Sequence, residues 1–170
     1  MEIPSEFWQI IATIVGGLIS AFVGFYAQRV SERRSKNELL MQRLEEIYSN
    51  CQELCELHNA RMNWLLAKNT ISKEDFTNGP EHPGRVMSAV KMKVRSYAPN
   101  LLKPLTKMDQ GHQAFKAAFV RLEDRVLAGE ILTKGVDYTA DVLKDHLDLL
   151  YAGADEVKLG AVAKLQRFFG

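Results

Sequence analysis

Charge is missing from one long stretch near the start of this 170-residue chain. The stretch Phe7–Ala27, FWQIIATIVGGLISAFVGFYA, contains no Asp, Glu, Lys or Arg, although these residues make up 25% of the chain. About 20 uncharged, mostly apolar residues wound as a helix match the thickness of the hydrocarbon core of a bilayer. Helices buried in soluble cores seldom carry so long an apolar run, so the pattern predicts a transmembrane anchor over residues 1–27.

Basic residues are absent before this stretch and abundant directly after it. Since Lys and Arg near a membrane segment stay on the cytoplasmic side, the flanks predict a single-pass protein of the prokaryotic inner membrane with its N-terminus outside. Residues 28–38 are then a basic juxtamembrane helix or linker, and residues 39–170 are cytoplasmic. No small-x-small cleavage site ends the apolar run, which argues against a removable signal peptide. The juxtamembrane basic residues are Arg29, Arg33, Arg34 and Lys36.

Glycine, proline and strand patterns are scarce in the next part of the chain. No Gly or Pro occurs between Gly24 and Gly79, and no run alternates in the manner of a β-strand. Leu44, Ile47 and Leu54 belong to an apolar seam with helical spacing. The sequence therefore predicts an all-α protein, in which the transmembrane helix continues into a long helix of a four- to five-helix cytoplasmic bundle.

Turn residues delimit the remaining helices. Ser72 and Asp75 have the spacing of a helix cap. Gly153 and Gly160 lie seven residues apart on the last helix, and small residues there predict that a neighbouring element packs closely against it. The expected segments are helices at about 85–97, 112–128 and 139–169, with a proline-interrupted piece at 101–108.

Small residues recur along one side of the predicted anchor. At a spacing of four they let two helix backbones approach closely, so they predict a homo-oligomer within the lipid bilayer. The alternative is that Gly and Ala are simply common in membrane helices. Polar side chains beside this row are candidate pore-lining residues: Gln9, Thr13 and Ser20. The association row itself comprises Ala12, Gly16, Ser20 and Gly24, with Gly17 and Ala21 alongside.

The chain has only two cysteines, which excludes a disulfide framework in a cytoplasmic domain. Cys51, Cys55 and His58 fall on one side of the long helix and have the chemistry of zinc ligands. The fourth ligand would come from His82, His112 or His146. Cys51 and His58 occupy seam positions, however, where a cysteine behaves as a small apolar residue. With no catalytic motif present, the sequence predicts no enzyme, no metal and no cofactor.

Acidic residues are absent from the segment 85–108, which carries six basic ones. A local positive charge attracts phosphate, and a nearby membrane favours anionic lipid or the acidic face of another subunit as its partner. Nucleic acid is not favoured, because aromatic residues do not alternate with the charges. Plain solvation of helix faces explains the pattern equally well. The basic patch consists of Arg85, Lys91, Lys93, Arg95, Lys103 and Lys107.

The layout of a short anchor, a basic flank and a helical bundle resembles the small membrane accessory proteins of type VI-B CRISPR systems. Those proteins belong to the helical HEPN superfamily and assemble into membrane pores, so the resemblance implies an oligomeric effector in prokaryotic antiviral defence. The HEPN motif is Arg, then four to six residues, then His. The nearest approach here has Lys107 before His112. The sequence therefore does not predict RNA cleavage.

Together these features predict a non-enzymatic membrane protein that self-assembles through its anchor and its long helix, and that opens a pore or perturbs the bilayer. The alternative is a membrane tether whose bundle recruits a cytoplasmic protein. A degenerate HEPN-like nuclease is the third hypothesis. The partner, the triggering signal and the number of subunits do not follow from the sequence.

Overall fold

The computed structural model describes residues 5–168, with the side chains of residues 5–15 and of position 142 outside that description. The structure is 83% helical, so the all-α prediction is confirmed. A two-residue antiparallel ladder accompanies them, with β1 (Thr70–Ile71) pairing with β2 (Leu132–Thr133). The five helices of the described part are α1 (Ser5–Ala67), α2 (Lys73–Thr77), α3 (Gly84–Tyr97), α4 (Leu102–Leu127) and α5 (Ala140–Gln166).

Helix α1 runs without a break from Ser5 to Ala67, through the described part of the predicted anchor and into the seam region. The chain nevertheless divides into two compact units, one ending at Met41 and one beginning at Gln42. Within the described residues, no helix holds an apolar stretch of the length needed to cross a membrane. The predicted span starts at Phe7, and its side chains up to Val15 lie outside the described part.

The second unit is a helical bundle with its own apolar core. The seam predicted from helical spacing is buried, since Leu44, Ile47 and Leu54 are each 0% exposed. Phe115 of α4 and Leu150 of α5 are also fully buried. Burial of such side chains contributes about 1.5–3 kcal/mol each, so the bundle has the apolar contacts of an ordinary folded domain.

Helices α4 and α5 cross at two glycines. A Cβ built on Gly111 would lie 2.5 Å from the backbone nitrogen of Leu150, and one built on Gly153 would meet the backbone of Met108. A Cβ on Gly160 would meet the side chain of Leu101. The close packing predicted at Gly153 and Gly160 is therefore confirmed.

Helix α4 begins earlier than the sequence predicts. The segment 101–108 was expected to be a separate, proline-interrupted piece, but α4 is continuous from Leu102 to Leu127. Pro104 is the third residue of this helix, where a backbone N–H has no partner within the helix and its loss costs little. The helix continues through Gly111. The missing side chain of Gly111 allows α5 to contact α4 there.

The short helix α2 has the cap that the sequence predicts. The Asp75 carboxylate accepts hydrogen bonds from the Ser72 backbone N–H at 2.9 Å and from the Ser72 hydroxyl at 3.0 Å. Lys68 lies 2.7 Å from the same carboxylate. These contacts lower the pKa of Asp75 to about 2, the hydrogen bond from Lys68 having the largest effect.

Candidate functional site

Over the described residues 16–30, the surface of α1 divides lengthwise into two halves, and one half carries large apolar side chains. At 100° per residue, Leu18, Phe22 and Phe25 fall within one arc of the helix surface. All seven large apolar side chains of this region are between 49% and 72% exposed, so the chain itself does not cover them. An exposed apolar surface of this kind marks a contact with lipid or with another protein. Its members are Leu18, Ile19, Phe22, Val23, Phe25, Tyr26 and Val30.

The opposite half of the same helix carries the small residues. Gly16, Ser20 and Gly24 point away from the apolar arc, with Gly17 and Ala21 beside them. A Cβ built on Gly16, Gly17 or Gly24 would meet nothing within 4 Å. This half therefore offers open helix backbone to a neighbour. Three predicted members of the row and of the pore lining, Gln9, Ala12 and Thr13, lie outside the described side chains.

The juxtamembrane basic residues follow directly and are all exposed. Arg34 forms an ion pair with Glu38 at 2.9 Å. The guanidinium carbon of Arg29 lies 4.8 Å from the centre of the Phe25 ring, in the geometry of a cation–π contact. Arg29, Arg33 and Lys36 have no ion pair within the described part of the chain.

Within the bundle, the structure brings together two histidines that the sequence separates by 54 positions. His58 Nδ1 donates a hydrogen bond to the Leu54 carbonyl at 2.8 Å, which leaves His58 Nε2 as an acceptor. His112 Nδ1 lies 3.2 Å from that atom and donates to it. The pair is a buried polar link between α1 and α4, since His58 is 0% and His112 is 3% exposed.

Burial also determines the charge state of this pair. Desolvation lowers the pKa of His58 to about 4 and that of His112 to about 4, with each histidine's charged neighbours adding smaller effects. Both rings are thus neutral at neutral pH. A general acid or base needs contact with its substrate, and neither ring is open to solvent.

The remaining zinc candidates do not join this pair. Burial raises the pKa of the Cys51 thiol to about 12 and that of Cys55 to about 11, so both stay protonated at neutral pH. A metal-bound cysteine is a thiolate. No group of three His, Cys, Asp or Glu side chains in the described residues is placed to hold a metal ion.

Half of the basic patch is engaged in ion pairs within the bundle. Lys91 lies 2.6 Å from Asp109, and Lys107 lies 2.7 Å from Glu156. Lys93 lies 3.0 Å from Glu46. These pairs tie α3 and α4 to their neighbours, which reduces the positive charge available to a partner. Arg85, Arg95 and Lys103 make no such pair in the described part of the protein.

A groove of about 400 Å³ between α4 and the start of α5 was not predicted. Leu122 and Leu143 contribute apolar surface to its lining, and Arg121 lines it as well. Arg125, also in the lining, is bound to Asp137 at 2.7 Å. Nothing in the sequence spacing brings these residues together, because the groove depends on how the loop 128–139 folds back.

The chain has no match among known protein families, among curated proteins or among solved structures.

Proposed function

We propose that this chain is a single-pass protein of the prokaryotic inner membrane, whose copies associate through the small-residue half of α1. The observation that carries the proposal is the exposed apolar arc from Leu18 to Val30. Transfer of each such side chain from water to an apolar environment is favourable by about 1.5–3 kcal/mol. The uncovered arc therefore favours insertion of the helix into a bilayer. The uncharged run from Phe7 supplies the remaining length of a span.

Self-association is supported by the division of the helix into two halves. The bulky half suits lipid, whereas the backbone at Gly16 and Gly24 is open to close approach. Helices in a bilayer associate through such surfaces because lipid provides no hydrophobic drive between them. In this proposal Gly16, Ser20 and Gly24 form the described part of the interface, and Ser20 is also the described member of the predicted pore lining; the other predicted members, Gln9, Ala12 and Thr13, lie outside the described side chains. The output of the assembly is a pore or a perturbed bilayer, in keeping with an effector of antiviral defence.

The mass of the detergent-extracted full chain tests the association. We expect the wild type to form a single assembly of several 19.2 kDa chains. Gly16→Leu/Ser20→Leu should reduce it to the mass of one chain in detergent, because the added side chains hold the backbones apart. Val23→Leu/Val30→Leu is the matched control, since it adds bulk to the lipid-facing half and should leave the assembly intact. A wild-type monomer would overturn self-association.

Ion leakage from vesicles then separates a pore from simple association. Vesicles containing the wild type should leak, and those containing Gly16→Leu/Ser20→Leu should not. An intact assembly without leakage would show that the pore is wrong while the interface stands.

The second candidate function is a tether that recruits a cytoplasmic protein. It is favoured by the bundle's own core and by an exposed patch at Tyr48 and Leu159, which are 40% and 69% exposed. A recruiter should keep its activity when residues 1–27 are replaced by an unrelated anchor, whereas an assembling protein should lose it. The nuclease hypothesis gains no support, because His112 is buried and Lys107 is bound to Glu156.

A further inference from the structure

We propose that Arg29 and Arg33 bind the headgroup of an anionic phospholipid. This site rests on the proposed function, because it requires α1 to enter a bilayer. It goes further in assigning a lipid class to two particular side chains. Arg29 lies two residues beyond the charge-free stretch, at the depth where phosphate groups would meet the helix.

The juxtamembrane charges differ in whether they are paired. Arg34 is bound to Glu38 at 2.9 Å. The other carboxylate of this segment, Glu32, accepts a hydrogen bond from Gln28 at 3.1 Å. Arg29 and Arg33 therefore have no carboxylate partner among the described residues, although Glu32 is adjacent in sequence to Arg33.

Arg29 and Arg33 share one surface of the helix. They lie four positions apart, about one helical turn or roughly 6 Å along the axis, so both guanidinium groups reach one side of the helix. A shallow groove of about 270 Å³ runs along this side. Its walls are Phe22, Phe25, Tyr26, Arg29, Val30 and Arg33.

The groove has the chemistry of a phospholipid site. One end is cationic and the other is apolar and aromatic, which matches the phosphate and the upper acyl chain of a phospholipid. The Phe25 ring, 4.8 Å from the Arg29 guanidinium carbon, holds that group near the groove. A planar guanidinium binds phosphate oxygens with two hydrogen bonds, and two of them favour a headgroup with net negative charge. Tyr26, which also lines the groove, carries a hydroxyl that can donate a further hydrogen bond.

Lipid retained by the full chain tests the site. The protein is reconstituted in vesicles of equal phosphatidylglycerol and phosphatidylcholine and extracted in mild detergent, and the bound lipid is quantified by native mass spectrometry. The wild type should retain phosphatidylglycerol in preference. Arg29→Gln/Arg33→Gln should lower that preference about 25-fold, roughly five-fold for each basic side chain near an anionic surface. Arg34→Gln/Lys36→Gln removes the same charge and should retain most of the preference.

An equal loss in both double variants would overturn the site, because it would show a general effect of charge. Displacement of the lipid by inorganic phosphate alone would also overturn it, since the pair would then recognise a free anion. Alkaline carbonate treatment of the vesicles is done first. Release of the wild type at that step would refute membrane insertion itself. Insertion without a lipid preference would refute only the site.

Discussion

His58 and His112 show how burial determines chemistry at the scale of single residues. Their rings lie between α1 and α4, and their hydrogen bond requires His58 Nε2 to be unprotonated. Protonation would place a charge in a site without solvent and replace the acceptor with a second donor. The low pKa of both histidines, about 4, reflects this cost.

We predict that the bundle loses stability as the pH falls from the ordinary histidine value of 6.5 towards about 4. The folded pKa is the lower one, so the unfolded chain takes up the proton first. The stabilisation is complete above 6.5 and declines below it. A shift from 6.5 to about 4 corresponds to roughly 3 kcal/mol for one histidine. Denaturant unfolding of the detergent-solubilised chain at pH values across this window measures the slope.

The variants for this prediction are His58→Gln/His112→Gln and His146→Gln. The double variant should be less stable at neutral pH, with a much flatter dependence on pH. His146 lies outside the pair, so its variant should keep the wild-type slope. A double variant with the wild-type slope would refute the pair as its origin.

At the scale of helices, glycine has two different uses in this chain. The space beside Gly111 and Gly153 is filled within the fold, because α4 and α5 pass close to each other there. Gly16, Gly17 and Gly24 carry the same lack of a side chain, and a Cβ on any of them would meet nothing within 4 Å. The first pair fixes a crossing inside the bundle, whereas the second set leaves a helix surface open to another chain.

We predict that Gly153→Ala destabilises the bundle although alanine favours helix. The added Cβ would lie 2.6 Å from Met108 Cα, so the two helices must separate. Overpacking of this kind costs about 1–3 kcal/mol, which exceeds the gain of about 1 kcal/mol in helix propensity. Thermal unfolding followed by circular dichroism provides the measurement.

Gly160→Ala is the matched control on the same helix. Its Cβ would meet Leu101 Cδ2, the end of a flexible side chain that can turn aside. This variant should be neutral or slightly more stable than the wild type. Equal losses in the two variants would contradict the assignment of the crossing to Gly153.

Local patterns predicted the helical class, the seam, the Ser72 cap and the close packing at Gly153, because each depends on spacing along one segment. Pairings over long sequence distances were not predictable. Nothing near His58 in the sequence indicates that its partner is His112, and the ladder of β1 with β2 is only two residues long. The ion pair of Lys107 with Glu156 likewise depends on how α4 meets α5. For this reason a basic patch read from sequence overestimates the charge open to a partner.

At the scale of the whole molecule, the two units carry different parts of the proposed function. The bundle has a buried apolar core, and its histidine pair is closed to solvent. The first unit has apolar side chains on one half and small residues on the other, followed by unpaired Arg29 and Arg33. The proposed function assigns association and lipid contact to the N-terminal unit, and its alternative assigns recruitment of a protein to the bundle.

Orientation in the membrane is the prediction that joins these parts. The basic flank after Ala27 predicts that Ser5 lies outside and Ser35 inside. In intact spheroplasts, a membrane-impermeant maleimide should label Ser5→Cys at once and Ser35→Cys only after lysis. The native thiols add little background, because burial raises the pKa of Cys51 to about 12 and of Cys55 to about 11, and thiolate is the reactive form.

The labelling pattern separates every arrangement of the chain. The reverse order would place the bundle outside and contradict a cytoplasmic partner. Labelling of neither variant before lysis would mean that α1 does not cross the membrane, and the apolar arc from Leu18 to Val30 would then have to pack against protein. Wild-type chain treated with the reagent before and after denaturation controls for Cys51 and Cys55. Because Ser5 and Ser35 flank the whole uncharged run, a difference between them requires the run itself to span the bilayer.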